Sequence, residues 1–303
     1  MNDYLVEAPM VDGKPQYRET RWPLKNLTLA GIHWPARSPQ PETPAIVMLH
    51  GWLDNCLSFV RLAPELNQHA EVYALDMAGH GHSGHRPAGQ SYLLGEYVAD
   101  LAEMIESTFS QPVDLVGHSL GGIVMVLYAA AFPEKVRRLV VIDSLGPISK
   151  DNADAVGQLR RGIQKRLSGS GNSIGYDSLE AAAVARAGGL SPLSAEAAEQ
   201  LVARNLVTGK NGVEWRTDPR LRHPSLMMYT EEQAMAFLRG VRAETMLIRA
   251  DKGLLGNRER WQGRIDAVPS LTEVVVPGSH HCHLDGDTRP VADAVRGFLI
   301  HDH

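Results

Sequence analysis

The pentapeptide Gly117-His118-Ser119-Leu120-Gly121 constrains this chain more than any other feature. It reads G-x-S-x-G. An apolar β-like run (Val113, Leu115, Val116) leads into it, and a helical apolar run (Ile123, Val124, Met125, Leu127, Tyr128, Ala129) leads away. A serine on a sharp strand-to-helix turn has its hydroxyl pushed clear of the sheet and into a cleft. Glycines on both sides let neighbouring backbone approach a strained turn that a side chain would block. The strand–turn–helix setting is what separates this pattern from a glycine-rich turn with an incidental serine.

The surrounding pattern supplies the fold class. Tyr17 to Leu24 and Leu27 to Trp34 alternate in part, as an entry hairpin does. Ala45 to Leu49 is a continuous apolar run, which suits a strand covered on both faces. Further runs follow at Glu71 to Leu75, Val113 to Val116 and Leu139 to Ile142, separated by helical patterns at Cys56 to Leu66, Leu93 to Ile105 and Gly121 to Phe132. Such alternation predicts an α/β protein built on a doubly wound, mostly parallel sheet.

The alternation stops near Gly146-Pro147 and resumes with strand runs at Thr245 to Arg249 and Thr272 to Val276; Val291 to Ile300 closes the chain as an amphipathic helix. Between them the sequence shows helix starts, with capping boxes expected at Asp177-x-x-Glu180 and Thr230-x-x-Gln233. Ser168 to Ser173 is expected to be a flexible loop. The expected layout is a core of residues 1–146 and 240–303 with a helical insert at 147–239, after the sixth strand.

Composition narrows the partners. A net charge of −5 gives no reason to expect nucleic acid or an anionic membrane. Two cysteines, Cys56 and Cys282, define no disulfide framework and are expected to be reduced thiols. Residues 1–7 lack the basic and apolar segments of a signal peptide, and Gly121 to Phe132 is too short to span a bilayer. The expectation is a cytoplasmic protein acting on a small molecule.

The chemistry starts from the weakness of a serine hydroxyl as a nucleophile. It needs a base to take its proton and a third group to orient that base. Histidines stand past the last strand, in Pro277-Gly278-Ser279-His280-His281-Cys282-His283-Leu284-Asp285. In open α/β sheets, catalytic groups gather at the carboxyl ends of the strands. A metal reading of His280, His281 and His283 lacks a familiar spacing and carboxylate partners. The developing oxyanion needs donors: the Leu120 N–H after the nucleophile, and the Trp52 N–H in the His50-Gly51-Trp52 turn after the third strand.

Taken together, His50-Gly51-Trp52, Asp76-x-x-Gly79-x-Gly81-x-Ser83, Gly117 to Gly122 and the late His280 segment resemble the α/β-hydrolase superfamily. His50 to Asn55 with Gly79 to Gly84 resembles its serine-hydrolase-like subgroup. The resemblance implies a Ser-His-acid triad, an inserted helical cap over the cleft, and no cofactor or metal. It makes His280 the base, three residues before His283-Leu284-Asp285. It makes the histidine-bearing segment 76–84 (His80, His82, with His85 beyond) a structural loop.

The acid departs from the family pattern. Three residues past Ala250, at the end of the seventh strand, stands Gly253. Two carboxylates could replace it: Asp143, after the sixth strand, where haloalkane dehalogenases and some other members place theirs, and Asp251. Asp143 is preferred. In the cap, Trp215, Leu221, Met227, Met228 and Tyr229 either line the pocket or pack a core. The expected function is a serine carboxylesterase acting on small or medium apolar acyl esters. Thioesterase, carbon–carbon bond hydrolase and acyltransferase use the same fold, and a catalytically silent binding protein is the rival from another class. A serine nucleophile disfavours epoxide hydrolysis and dehalogenation, which need a carboxylate there.

Overall fold

A computed structural model describes residues 8–11, 14–170, 175–209 and 212–300. Eight strands form the main sheet: β1 (Arg18–Pro23), β2 (Thr28–Trp34), β3 (Ile46–Leu49), β4 (Val72–Asp76), β5 (Val113–His118), β6 (Val136–Ile142), β7 (Glu244–Lys252) and β8 (Leu271–Ser279). Their order is β8-β7-β6-β5-β3-β4-β2-β1. From β4 to β8 all neighbours are parallel; the β1–β2 hairpin adds an antiparallel edge against β4.

Continuous apolar strands follow from a sheet covered on both faces. Along β3, Val47 and Leu49 pack with α1 (Leu94–Thr108) and α2 (Leu120–Ala131). Ile46 and Met48 point the other way, to Phe59, Leu62 and α8 (Arg289–Leu299). Helix α8 buries Val291, Ala292, Val295 and Leu299, one stripe at helical spacing, and begins with Pro290 in its first turn.

The expected helix from Cys56 to Leu66 is instead two short 3-10 turns, Cys56–Phe59 and Ala63–Glu65. Four consecutive residues, Cys56 to Phe59, are buried, which no single helix face allows. Asn55 caps the first turn on Leu57 N, and Pro64 lacks the N–H a continuing helix needs.

Between β6 and β7 the chain leaves the sheet. It forms α3 (Ala155–Ser168), α4 (Leu179–Ala187), α5 (Ala195–Val202) and α6 (Glu231–Gly240). The insert is not all helical. Gly175–Tyr176, Leu206–Gly209 and Gly212–Trp215 pair as a small antiparallel sheet. Strands of two to four residues carry too little alternation to be read from sequence. The Thr230–Gln233 capping box is formed. The Asp177 box is not: Ser178, one residue later, caps α4 on Ala181 N. Of the expected loop at 168–173, Gly171 to Ser173 lie outside the described residues, as do residues 1–7. Two helices close the core's outer layer, α6 against α2 and α7 (Arg258–Ala267) beside it.

One buried ion pair ties the insert to the sheet. Arg204, 1% exposed, donates from Nε to Asp76 Oδ2 at 2.8 Å and from both Nη atoms to Glu19. Asp76 also accepts from Cys56 N and His82 N. Burial alone pushes the Asp76 carboxyl up; Arg204, His50 and the two backbone donors outweigh it and hold it down at about 2. Its contribution to stability is therefore present above the ordinary carboxylate range and lost as the pH falls toward 2. Arg204→Met removes one partner of a buried pair and is expected to lower stability by about 3–5 kcal/mol in urea denaturation, with acid unfolding moved to higher pH. A variant as stable as the parent at neutral pH would show that the pair carries no such load.

Candidate active site

Ser119 sits at the turn from β5 into α2 with φ +50° and ψ −116°. A non-glycine residue there is strained by about 1–3 kcal/mol. The packing around it leaves the turn nowhere else to go. A Cβ on Gly121 would lie 2.1 Å from Leu49 O, so only glycine lets α2 start this close to the end of β3. Gly121 N then donates to His50 O at 3.0 Å and Ser119 N to Ile142 O at 3.1 Å, tying the turn to β3 and β6.

The His50-Gly51-Trp52 turn is fixed from beneath. His50 donates from Nδ1 to Gly51 O and accepts Met77 N at Nε2. Burial keeps His50 harder to protonate than usual, which suits the accepting nitrogen. Among the described residues, neither the Trp52 N–H nor the Leu120 N–H has a protein acceptor. Leu120 opens α2, where the helix dipole favours negative charge. The Trp52 indole donates to Leu221 O, a contact from the core to the insert.

His280 follows β8, 8% exposed, and its Nδ1–H donates to Asp143 Oδ2 at 2.6 Å. Asp143 follows β6 with φ +47°. Its carboxylate is also held by Leu254 N at 2.6 Å and Leu255 N at 3.3 Å. Gly253, the position where the family pattern implies an acid, is vacant for a physical reason. A Cβ there would lie 2.3 Å from Asp143 Oδ2. The carboxylate reaching over from β6 fills the space a side chain at 253 would take. Asp251 points elsewhere: its Oδ1 accepts Gly278 N at 2.8 Å.

Ser119, His280, Trp52 and Leu120 line one cavity of about 1210 Å³. Its apolar wall is Ile123, Ile148, Leu190, Val207, Trp215 and Leu254. Ser119 Oγ makes no hydrogen bond with the described residues, a looseness common in free enzymes. The expected cap lining needs correction. Trp215 is on the cavity wall, whereas Leu221 is on a smaller neighbouring pocket. Met227 is 81% exposed, and Tyr229 packs edge-on against Phe237. Met228 is likewise off the wall. An apolar segment in a cap has two apolar surfaces to cover, and sequence does not tell them apart.

The three imidazoles of the His280 loop pack around His118, with ring centroids 4.5, 4.8 and 4.3 Å from its own, but each takes a different polar partner. His280 meets Asp143, His281 meets Asp54 and Ser191, and His283 meets Ser58. His80 and His85 also face different partners, the Ala78 carbonyl and Asp218. Burial takes His80 down to about 3. Ser83 Oγ donates to Asp76 O and accepts Ala30 N, so the 76–84 segment is a packed loop. Cys56 and Cys282 are buried free thiols. Sequence reasoning missed the Leu254 and Leu255 donors; the glycine at 253 was the signal for them.

Residues 44–181 match the family model described as alpha/beta hydrolase fold. The chain is 30% identical over 296 residues to a probable serine hydrolase of Drosophila melanogaster, covering 89% of this chain and 84% of that protein. A crystal structure of a hypothetical protein from Pseudomonas aeruginosa PAO1 superposes with TM-score 0.85 and 38% identity, covering 93% of this chain and 98% of that one. A thioesterase domain from the curacin biosynthetic pathway superposes with TM-score 0.81 at 24% identity, over 94% and 99% of the two chains, a likeness of fold.

The geometry separates the two candidate acids by experiment. Asp143→Asn is expected to lower kcat on p-nitrophenyl butyrate by ~10⁴, as loss of the orienting carboxylate does in a triad. Asp251→Asn should change it by less than about tenfold, since such surface changes act only through local structure. The reverse ranking in folded proteins would move the acid to Asp251.

Proposed function

This chain belongs to the α/β-hydrolase fold family, among its serine hydrolase-like members, and from that membership we propose a carboxylesterase acting on small or medium apolar acyl esters. The observation that carries the reading is one wall of one cavity. A strained serine, a histidine paired to a buried carboxylate, and two unpartnered backbone N–H groups all open onto it.

In this mechanism Ser119 Oγ attacks the ester carbonyl while its proton passes to His280 Nε2. Asp143, hydrogen-bonded to Nδ1, holds the ring in that tautomer and stabilises the imidazolium. The oxyanion is received by the Trp52 and Leu120 N–H groups. The tetrahedral intermediate collapses, and His280 gives its proton to the departing alkoxide. Water then attacks the acyl-serine with His280 as base, releasing the carboxylic acid and restoring Ser119. The part of the insert before α6 serves as the cap, since α6 packs on α2 of the core, and its Val207 and Trp215 face the acyl chain. Of the three cavity arginines, Arg186, Arg216 and Arg222, the first two are engaged by the protein, while Arg222 has no partner among the described residues. Arg186 pairs with Asp54, and Arg216 donates to the Gly81 and His82 carbonyls. In this reading the apolar wall favours an apolar acyl group.

A fluorophosphonate probe tests the nucleophile: wild type should label, and folded Ser119→Ala should not. Labelling that survives the substitution would remove Ser119 from the mechanism. His280→Ala is expected to lower turnover at least ~10³, and His281→Ala much less. A panel of p-nitrophenyl esters and acyl-CoA thioesters tests the substrate class. Butyrate ester should be cleaved faster than charged acyl esters; equal rates on dicarboxylate half-esters would count against an apolar pocket.

A further inference from the structure

Beside the Ser119–His280 wall lies a second cluster that this chemistry leaves unused. Asp54, His118 and His281 are each no more than 2% exposed, and come from the turn after β3, the end of β5 and the loop after β8. One ligand-type atom from each lies within 4.8 Å of the other two. His118 Nε2–H donates to His280 O at 2.9 Å, which leaves Nδ1 with a lone pair. That nitrogen has no hydrogen-bond partner and is fully buried. It stands 4.0 Å from Asp54 Oδ2, so two acceptors face one another with no donor between them. His281 Nε2 is 3.0 Å from the same oxygen, and its Nδ1 is 3.2 Å from Ser191 Oγ. A ring fixed by its far nitrogen to a carbonyl or side-chain oxygen is how metal-binding histidines are usually oriented. All three residues border the cavity.

We propose that Asp54 Oδ2, His118 Nδ1 and His281 Nε2 bind a divalent transition cation of the zinc type, with a fourth position open to the cavity. Two imidazoles and a carboxylate suit zinc, at bonds of roughly 2.0–2.2 Å. The three side chains draw in around the ion. Binding uses the His281 Nε2 lone pair, so the ring proton donated to Asp54 in the metal-free protein moves through solvent to Nδ1, which then donates to Ser191 Oγ. Arg186 of α4 is the competitor. Its Nη2 donates to Asp54 Oδ1 at 2.9 Å and stands 3.5 Å from His281 Nε2. A dication repels it, and with it goes one tie between α4 and the core. The ion also pulls on His118, whose other nitrogen holds the His280 carbonyl. Occupation therefore inhibits hydrolysis. That consequence rests on the esterase reading; the site itself does not.

The test is titration of the purified full chain with Co²⁺, followed by visible d–d absorption, and with Zn²⁺ by calorimetry, with ester turnover measured in parallel. A single tetrahedral ion per chain is expected, with turnover lost on binding and restored by EDTA. His281→Ala should weaken binding at least about tenfold. Arg186→Ala removes a part-buried neighbouring positive charge and should tighten it at least about tenfold. His280→Ala should bind like the wild type. Binding lost in His280→Ala but kept in His281→Ala would place the ion on the catalytic histidine and overturn the proposal, as would unchanged or weaker affinity in Arg186→Ala. If His281→Ala does not fold, Arg186→Ala decides alone. A wild type that binds cobalt yet cleaves no ester would overturn the esterase reading and leave the metal site standing.

Discussion

The Asp143 carboxylate is the point on which three separate loops converge. It leaves the end of β6 in a left-handed conformation, and its two oxygens take the Leu254 and Leu255 N–H groups and the His280 ring. The loop after β7 is thereby folded around an acid that belongs to another strand. The loop after β8 is set by the same oxygen. Asp143 N donates to Ile248 O, so the group that orients the histidine is itself fixed by the sheet ladder. A buried carboxylate with this many donors stays put, which is the property an orienting group needs.

Much of this was legible in the residues. The parallel strands showed as uninterrupted apolar runs, because a sheet covered on both faces needs apolar side chains at every position. The Ser119 turn showed because its glycines stand where backbone meets backbone, as the 2.1 Å approach at Gly121 demonstrates. The place of Asp143 was legible only as a preference over Asp251. Choosing between them required knowing that Gly253 is excluded by the carboxylate itself, and that is a contact between residues more than a hundred positions apart in sequence.

The failures have physical causes as well. Cys56 to Leu66 looked helical because its apolar residues are dense, but density on all sides marks complete burial rather than one face. The short strands of the insert left no mark because each is shorter than one period of useful alternation. Met227 and its neighbours looked like a pocket lining because composition records how apolar a segment is and not which way it turns. Among the described residues no helix is long and apolar enough to cross a membrane, which agrees with the length of the Gly121 to Phe132 run.

The insert departs from β6 and returns into β7, and these two strands are hydrogen-bonded neighbours. Closing a longer or shorter excursion at that point costs little, since loop entropy grows only slowly with length. By that measure the insert could be traded for another at little entropic cost. Arg204 sets the limit to such trade. It reaches out of the insert and down to Asp76 and Glu19, two strands on the far side of the sheet. A foreign cap without that guanidinium would strand a carboxylate under it. In this chain the insert and the hairpin edge are one unit energetically, joined through a single guanidinium.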